Sequence, residues 1–257
     1  MGAHLASVNS MPDMPAPYNP LDRVELGKSV ERALLSQELG PLPPRTGFRG
    51  AGLYALYYTG DFEPYRPIAP PVHEAGEIPI YVGRAVPRGA RAGGDGLRPT
   101  TTEPALFNRL REHERSIRMV EKYARQMQHA NIRLSDFQCR FLVVDDIWVA
   151  LGEAVLIGHY QPLWNGFVQG FGIHAPGSGR DKQARSDWDT LHPGRPFAER
   201  RPRGQRSPAE IAMEVTMRLG QAQVPNLDAP PDGDPVQQLV LDGLDDFAEG
   251  DMRDDSL

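Results

Sequence analysis

Three short apolar runs of strand length, set among longer stretches of helical period, predict an α+β chain. The runs are residues 52–58, 78–83 and 137–144, each rich in the aromatic and β-branched residues that suit a pleated surface. Helical spacing of apolar residues marks 21–39, 103–130, 147–160 and 207–219. With 257 residues the chain can bury a full core and need be no more than one domain with insertions.

Residues 1–20 are rich in Met, Pro, Asn and Ser, without periodicity, and are expected to be disordered. A helical arm follows over 21–44, where Leu21, Val24, Leu26, Val30, Ala33, Leu34 and Leu35 recur mostly at spacings of three and four. Gly40-Pro41 and Pro43-Pro44 stop it. The arm either packs on the core or reaches a partner; the pattern allows both. The first strand closes at Thr59-Gly60-Asp61, and Gly76 opens the second after a Pro-rich surface loop over 61–77. Each strand carries a tyrosine in a glycine-flanked triplet, Gly52-Leu53-Tyr54 and Tyr81-Val82-Gly83. A glycine there lets another group approach the backbone while the phenol points at it.

After Gly83 comes a loop over 84–102 with four glycines and four arginines, suited to following a phosphate backbone. The long helix then carries a stripe of Leu106, Leu110, Ile117, Val120, Ala124 and Met127. Arg109 and His113 stand one turn apart beside that stripe. Cys139, the single cysteine, lies within the third run and is expected to be a buried thiol. The next helix places Trp148, Leu151, Val155 and either Leu156 or Ile157 toward the core, with Glu153 among them. A carboxylate in such company wants a cation, because burying it unpaired is costly. Gly152 is expected to leave room beside it for a ligand. Pro162 ends this helix, and Asn165 brings an amide near the carboxylate. A glycine-rich loop containing His174 covers 166–179, and Ser207-Pro208-Ala209-Glu210 has the pattern of an N-cap with Pro in the first turn. The chain therefore divides into the arm, a core over 45–200, a C-terminal helical segment over 201–224 and an acidic tail over 225–257.

The net charge of −6 hides an asymmetry, since residues 225–257 hold ten acids against one arginine and leave 1–224 at +3. Ten basic residues face five acids in number over 84–125, and eight face four over 180–206. Basic stretches broken by loops are the footprint of a phosphate-binding surface. The candidates for contacting DNA are Arg84, Arg88, Arg91, Arg98, Arg180, Lys182 and Arg185. One cysteine permits no internal disulfide, and one Cys with seven scattered His builds no zinc cluster. Neither a charged-then-apolar leader nor a long uncharged apolar run is present, so a cytoplasmic protein is expected.

Gly-Leu-Tyr, Tyr-Val-Gly, a helical Arg, a helical Glu and then Asn, in that order, resemble the GIY-YIG nuclease family. With His113 included, the set is Tyr54, Tyr81, Arg109, His113, Glu153 and Asn165. It is most similar to the type II restriction endonucleases of that family that cut the palindrome CCGCGG. Leu53 stands where the first triplet usually has Ile, and the acidic tail has no counterpart. The resemblance implies a small three-stranded antiparallel GIY-YIG sheet flanked by helices, with long loop insertions and N- and C-terminal extensions. It also implies Mg²⁺-dependent hydrolysis of a DNA phosphodiester, with one divalent ion per site held by Glu153. Arg109 would grip the phosphate, Tyr54 would take the proton of water, His113 would relay it, and Tyr81 and Asn165 would hydrogen-bond phosphate or water. The phenol of Tyr54 would need its pKa lowered for that task. Which of Tyr54, Tyr81 and His113 is the base stays open. A palindromic target implies a homodimer on double-stranded DNA, and the family implies a companion DNA methyltransferase. The alternatives are a homing or repair nuclease on the same fold, or a DNA-binding protein without catalysis.

Overall fold

The computed structural model describes residues 22–87, 103–173 and 183–232. The expected disorder of 1–20, His174, and the candidates Arg88, Arg91, Arg98, Arg180 and Lys182 lie outside them, as does the tail from residue 233 onward.

Four antiparallel strands form one sheet in the order β1-β4-β2-β3: β1 (Gly40–Pro41), β2 (Gly52–Tyr58), β3 (Pro79–Ala85) and β4 (Phe137–Val143). The central pairing sets Tyr54 opposite Gly83 on one side and Phe141 on the other. The expected sheet of three strands is corrected to four. Gly40 and Pro41, read from sequence only as helix stoppers, pair with Cys139 and Gln138 along the outer edge of β4. Cys139 is buried and its Sγ lies 3.3 Å from the Pro41 carbonyl oxygen; burial pushes its thiol pKa up to about 12.

Alternation along β2 sorts the core into two layers. Leu53, Ala55 and Tyr57 face α1 (Arg23–Leu35) and α3 (Asp146–Tyr160), packing with Val30, Leu34 and Leu156. Tyr54, Leu56 and Tyr58 face the other side, toward α2 (Ala105–Met127) and α6 (Pro208–Leu219). Two short helices, α4 (Asp187–Leu191) and α5 (Pro196–Glu199), and two 3-10 turns at Glu63–Ile68 and Leu134–Asp136 complete the described elements. No helix among the described residues is long and apolar enough to cross a membrane.

The arm packs on the core. Asp22 caps α1 by accepting from the Val24 and Glu25 amides, and the helix crosses α3 at close range. A Cβ on Gly152 would come within 2.5 Å of Val30 Cγ1, so this glycine makes room for α1 and not for a ligand. Beneath the crossing, Glu31 and His159 form a buried pair at 2.8 Å, and His159 Nε2 donates to the Ala229 carbonyl. The first residues of the acidic tail are thereby held against α1 and α3. In α2 the predicted stripe is buried from Leu106 to Ala124, but Met127 projects into solvent at the last turn. At α6 the cap is reciprocal, with Ser207 accepting from the Glu210 amide and Glu210 accepting from that of Ser207.

Candidate active site at the edge of β3

β3 is the edge strand, and the functional side chains gather around it from three directions. Pairing puts Tyr54 and Tyr81 on the α2 face of the sheet, and Leu53 with Arg84 on the α3 face. From α2, His113 reaches Tyr54: the phenol oxygen and His113 Nε2 are 2.5 Å apart, and both residues are fully buried. The rings of Tyr54, Tyr81 and His113 lie in mutual contact, with centroids 6.1, 5.3 and 5.4 Å apart. Gly83 makes that cluster possible, because a Cβ there would lie 2.5 Å from the Tyr54 hydroxyl oxygen.

Arg109, one turn before His113, is tethered at both ends of its fork. It donates to Glu112 Oε2 at 3.1 Å and to the Gly172 carbonyl at 3.0 Å. Burial by itself would lower its pKa, but the phenols of Tyr54 and Tyr81 and the bond to Glu112 outweigh it, so the guanidinium is held charged. On the other face of the sheet Glu153 is 9% exposed and accepts from Arg84 Nε at 3.1 Å. The cation that a half-turn of apolar neighbours demanded is thus Arg84, one of the DNA-contact candidates.

Burial raises the Tyr54 pKa well above that of an ordinary phenol; Tyr81 and Glu153 add to the effect and Arg109 opposes it. Burial also raises Tyr81, with Arg109 opposing and Glu153 adding. Burial thus works against the lowering that Tyr54 would need as a base, and of the means named for it Arg109 acts in that direction. Both phenols are neutral, and a proton leaving Tyr54 needs an acceptor; His113 Nε2 is in contact with it.

Asn165 is engaged with the backbone of β3. Its Oδ1 accepts from the Val82 amide and its Nδ2 donates to the Val82 carbonyl, each at 2.8 Å. The amide side chain thus does for β3 what a fifth strand would do, satisfying the edge groups between Tyr81 and Gly83. Trp164 extends this edge by donating its amide to the Ile80 carbonyl at 2.9 Å. Arg185 is also engaged within the fold: it donates to the Ala198 and Glu199 carbonyls and pairs with the Glu199 carboxylate at 3.0 Å.

Sequence reasoning missed Phe171, which stacks on His113 at 4.4 Å and 17° and meets Tyr81 edge-on. It also missed Asp189 and Arg195 behind it. The one signal available was Ser186-Asp187-Trp188-Asp189, whose serine-to-acid spacing is a helix-start pattern. Ser186 does cap α4 by accepting from the Asp189 amide.

Two glycine-flanked tyrosines on paired strands, with an arginine and histidine from the following helix and a glutamate from the next, define a GIY-YIG nuclease domain. A family model described as the Eco29kI GIY-YIG domain matches residues 46–219, more than half of the chain. The chain belongs to this family, whose defining member is a restriction endonuclease. The match begins after the arm and runs through the end of α6. Comparison with curated proteins gave no match.

Proposed function

We propose that this protein is a type II restriction endonuclease making double-strand cuts at palindromic, GC-rich DNA, with CCGCGG as the target. The observation that carries the reading is the 2.5 Å contact between Tyr54 and His113, with Arg109 and Glu153 close enough to act on the same phenol.

The chemistry follows from the charges. A water attacks phosphorus and gives its proton to the Tyr54 oxygen while the Tyr54 hydroxyl proton passes to His113 Nε2. This relay suits a phenol whose pKa burial has raised, because no standing phenolate is needed. Arg109 binds a non-bridging oxygen and balances the charge that grows there, its fork already oriented by Glu112 and Gly172. Tyr81 hydrogen-bonds the phosphate or the water, and Asn165 acts on it indirectly by fixing the strand at Val82. The P–O3′ bond breaks and the 3′ oxygen takes up a proton from solvent.

Nucleases of this class use a divalent metal, and Glu153 is the residue that would hold it. One well-placed carboxylate fits Mg²⁺, which keeps most of its waters. No group of three or more His, Cys, Asp or Glu side chains among the described residues competes for the role. When bound, the ion polarises the phosphate and steadies the leaving oxygen. Arg84, paired with Glu153 beside the site, would contact the DNA backbone or a guanine edge. A palindromic target matches a homodimer with one site per strand, and a companion methyltransferase protects host DNA.

Incubating the purified protein with unmethylated plasmid carrying CCGCGG and Mg²⁺ tests the reading. A discrete fragment pattern set by those sites is expected. Random nicking points instead to a repair or homing type of nuclease, and a mobility shift without cleavage to a silent DNA binder.

A further inference from the structure

A second polar cluster lies directly behind the site. Arg195 is 1% exposed, and all five of its N–H donors are used. Nε and Nη2 donate to the two oxygens of Asp189 at 2.6 and 2.8 Å. Nη1 donates to the carbonyls of Phe171 and Ile173 at 3.1 and 2.8 Å, and Nη2 to that of Gly170 at 2.7 Å. The guanidinium lies over the Trp188 ring at 4.5 Å and the Phe197 ring at 4.9 Å. Ser186 holds Asp189 in turn, donating to its Oδ2 at 2.7 Å.

The turn gripped this way is the one that touches the reacting groups. Phe171 stacks on His113, and the Gly172 carbonyl anchors Arg109. Burying an arginine and an aspartate yields little net stability compared with apolar residues of the same volume. What the pair supplies that apolar residues cannot is direction, since only a planar fork fixes three carbonyls of one turn together.

We propose that Arg195 and Asp189 are positioning residues for cleavage, fixing the 170–173 turn so that Phe171 orients the imidazole of His113 and Gly172 orients Arg109. The proposal deepens the nuclease reading above and rests on it. If the turn loosens, Arg109 and the imidazole of His113 lose their fixed geometry, and charge relief on the phosphate and the proton relay both slow.

Two variants of the full-length protein separate positioning from simple stability. Arg195→Lys keeps the charge and loses the fork; the double variant Arg195→Met with Asp189→Leu removes both buried charges and keeps apolar volume. The first readout is the ring-proton NMR resonance of His113 without DNA, assigned by its loss in His113→Gln. Stacking on Phe171 shifts that resonance upfield, and both variants are expected to move it downfield. The second is single-turnover cleavage at saturating DNA. The rate should fall roughly 10- to 100-fold, and DNA affinity should stay within about threefold.

A folded variant with the wild-type His113 resonance, or with the wild-type rate, overturns the proposal even if its thermal midpoint has dropped. A wild-type protein that cuts no DNA refutes the nuclease reading instead. The His113 resonance would still decide whether the cluster orients that ring.

Discussion

Gly83→Ala places a methyl group at the centre of the site without removing any functional side chain. The added Cβ would lie 2.5 Å from the Tyr54 hydroxyl oxygen, 2.7 Å from Tyr54 Cζ and 3.0 Å from Tyr81 Cε1. Ordinary contact distances are about 3.5 Å, so the phenol must retreat by about 1 Å. The backbone has little freedom to absorb this, because β2 is paired on both sides and Tyr54 has no exposed surface. The displacement falls on the ring, and the distance to His113 Nε2 grows from 2.5 Å toward about 3.5 Å, beyond a useful hydrogen bond. A misplacement of that size costs about 100-fold in rate, while the overpacking costs about 1–3 kcal/mol of stability. Single-turnover cleavage at saturating DNA and urea unfolding measure the two effects separately. Gly166→Ala is the matched control, since nothing lies within 4 Å of a Cβ there and neither quantity should change. A folded Gly83→Ala protein that cuts at the wild-type rate would show that the Tyr54–His113 contact is not part of the reaction.

Glu153→Gln keeps the shape of the side chain and an acceptor for Arg84 but removes the charge, so cleavage should be lost while DNA binding in a gel-shift assay is largely retained. Full activity would remove Glu153 from the metal role. Asn165→Ala leaves the Val82 amide and carbonyl without their side-chain partner; it should lower stability by about 1–3 kcal/mol and slow cleavage. A rate lost with no change in stability would favour a direct contact with substrate. His192 is buried, accepts a 2.6 Å contact from the Tyr65 hydroxyl, and has its pKa lowered from 6.5 to about 3 by burial first and Arg195 second. Its contribution to stability is therefore complete above the unfolded pKa and declines as pH falls from there toward the folded value. Between about pH 7.5 and about pH 5 the loss is about 2 kcal/mol, read as the difference in urea midpoints between wild type and His192→Gln across that range. A difference that does not vary with pH would mean that His192 becomes charged without penalty.

The parts of the site that were legible in the sequence are those whose function depends on residue type at a fixed local spacing. A glycine beside a tyrosine, or Arg and His one turn apart on an amphipathic helix, carries its meaning within a few residues, and Tyr54, Tyr81, Arg109 and His113 do converge. The capping pattern at Ser207 and Glu210 was readable for the same reason. β1 was not, because Gly40 and Pro41 have no strand propensity of their own and pair only where β4 offers an open edge. Gly152 shows the opposite error: its smallness was legible, but what uses the space is Val30, over a hundred residues earlier in the chain.

The arginines of 180–206 show where counting charge fails. A phosphate-binding face and a buried clamp require the same residue, and their sequences differ only in the partner. Arg195 sits beneath the surface on Asp189 and three carbonyls, Arg185 holds the end of α5, and Arg206 pairs with Asp187 and Glu214. Of their partners, carboxylates can be guessed from nearby acids, but every residue has a carbonyl, so a guanidinium that binds backbone leaves no trace in composition. The basic balance of this stretch therefore overstates the positive surface available to DNA. Among the candidates, Arg185 is spent on holding the end of α5, whereas Arg84 stands against Glu153 in the site itself, which makes it the stronger candidate for contacting the substrate.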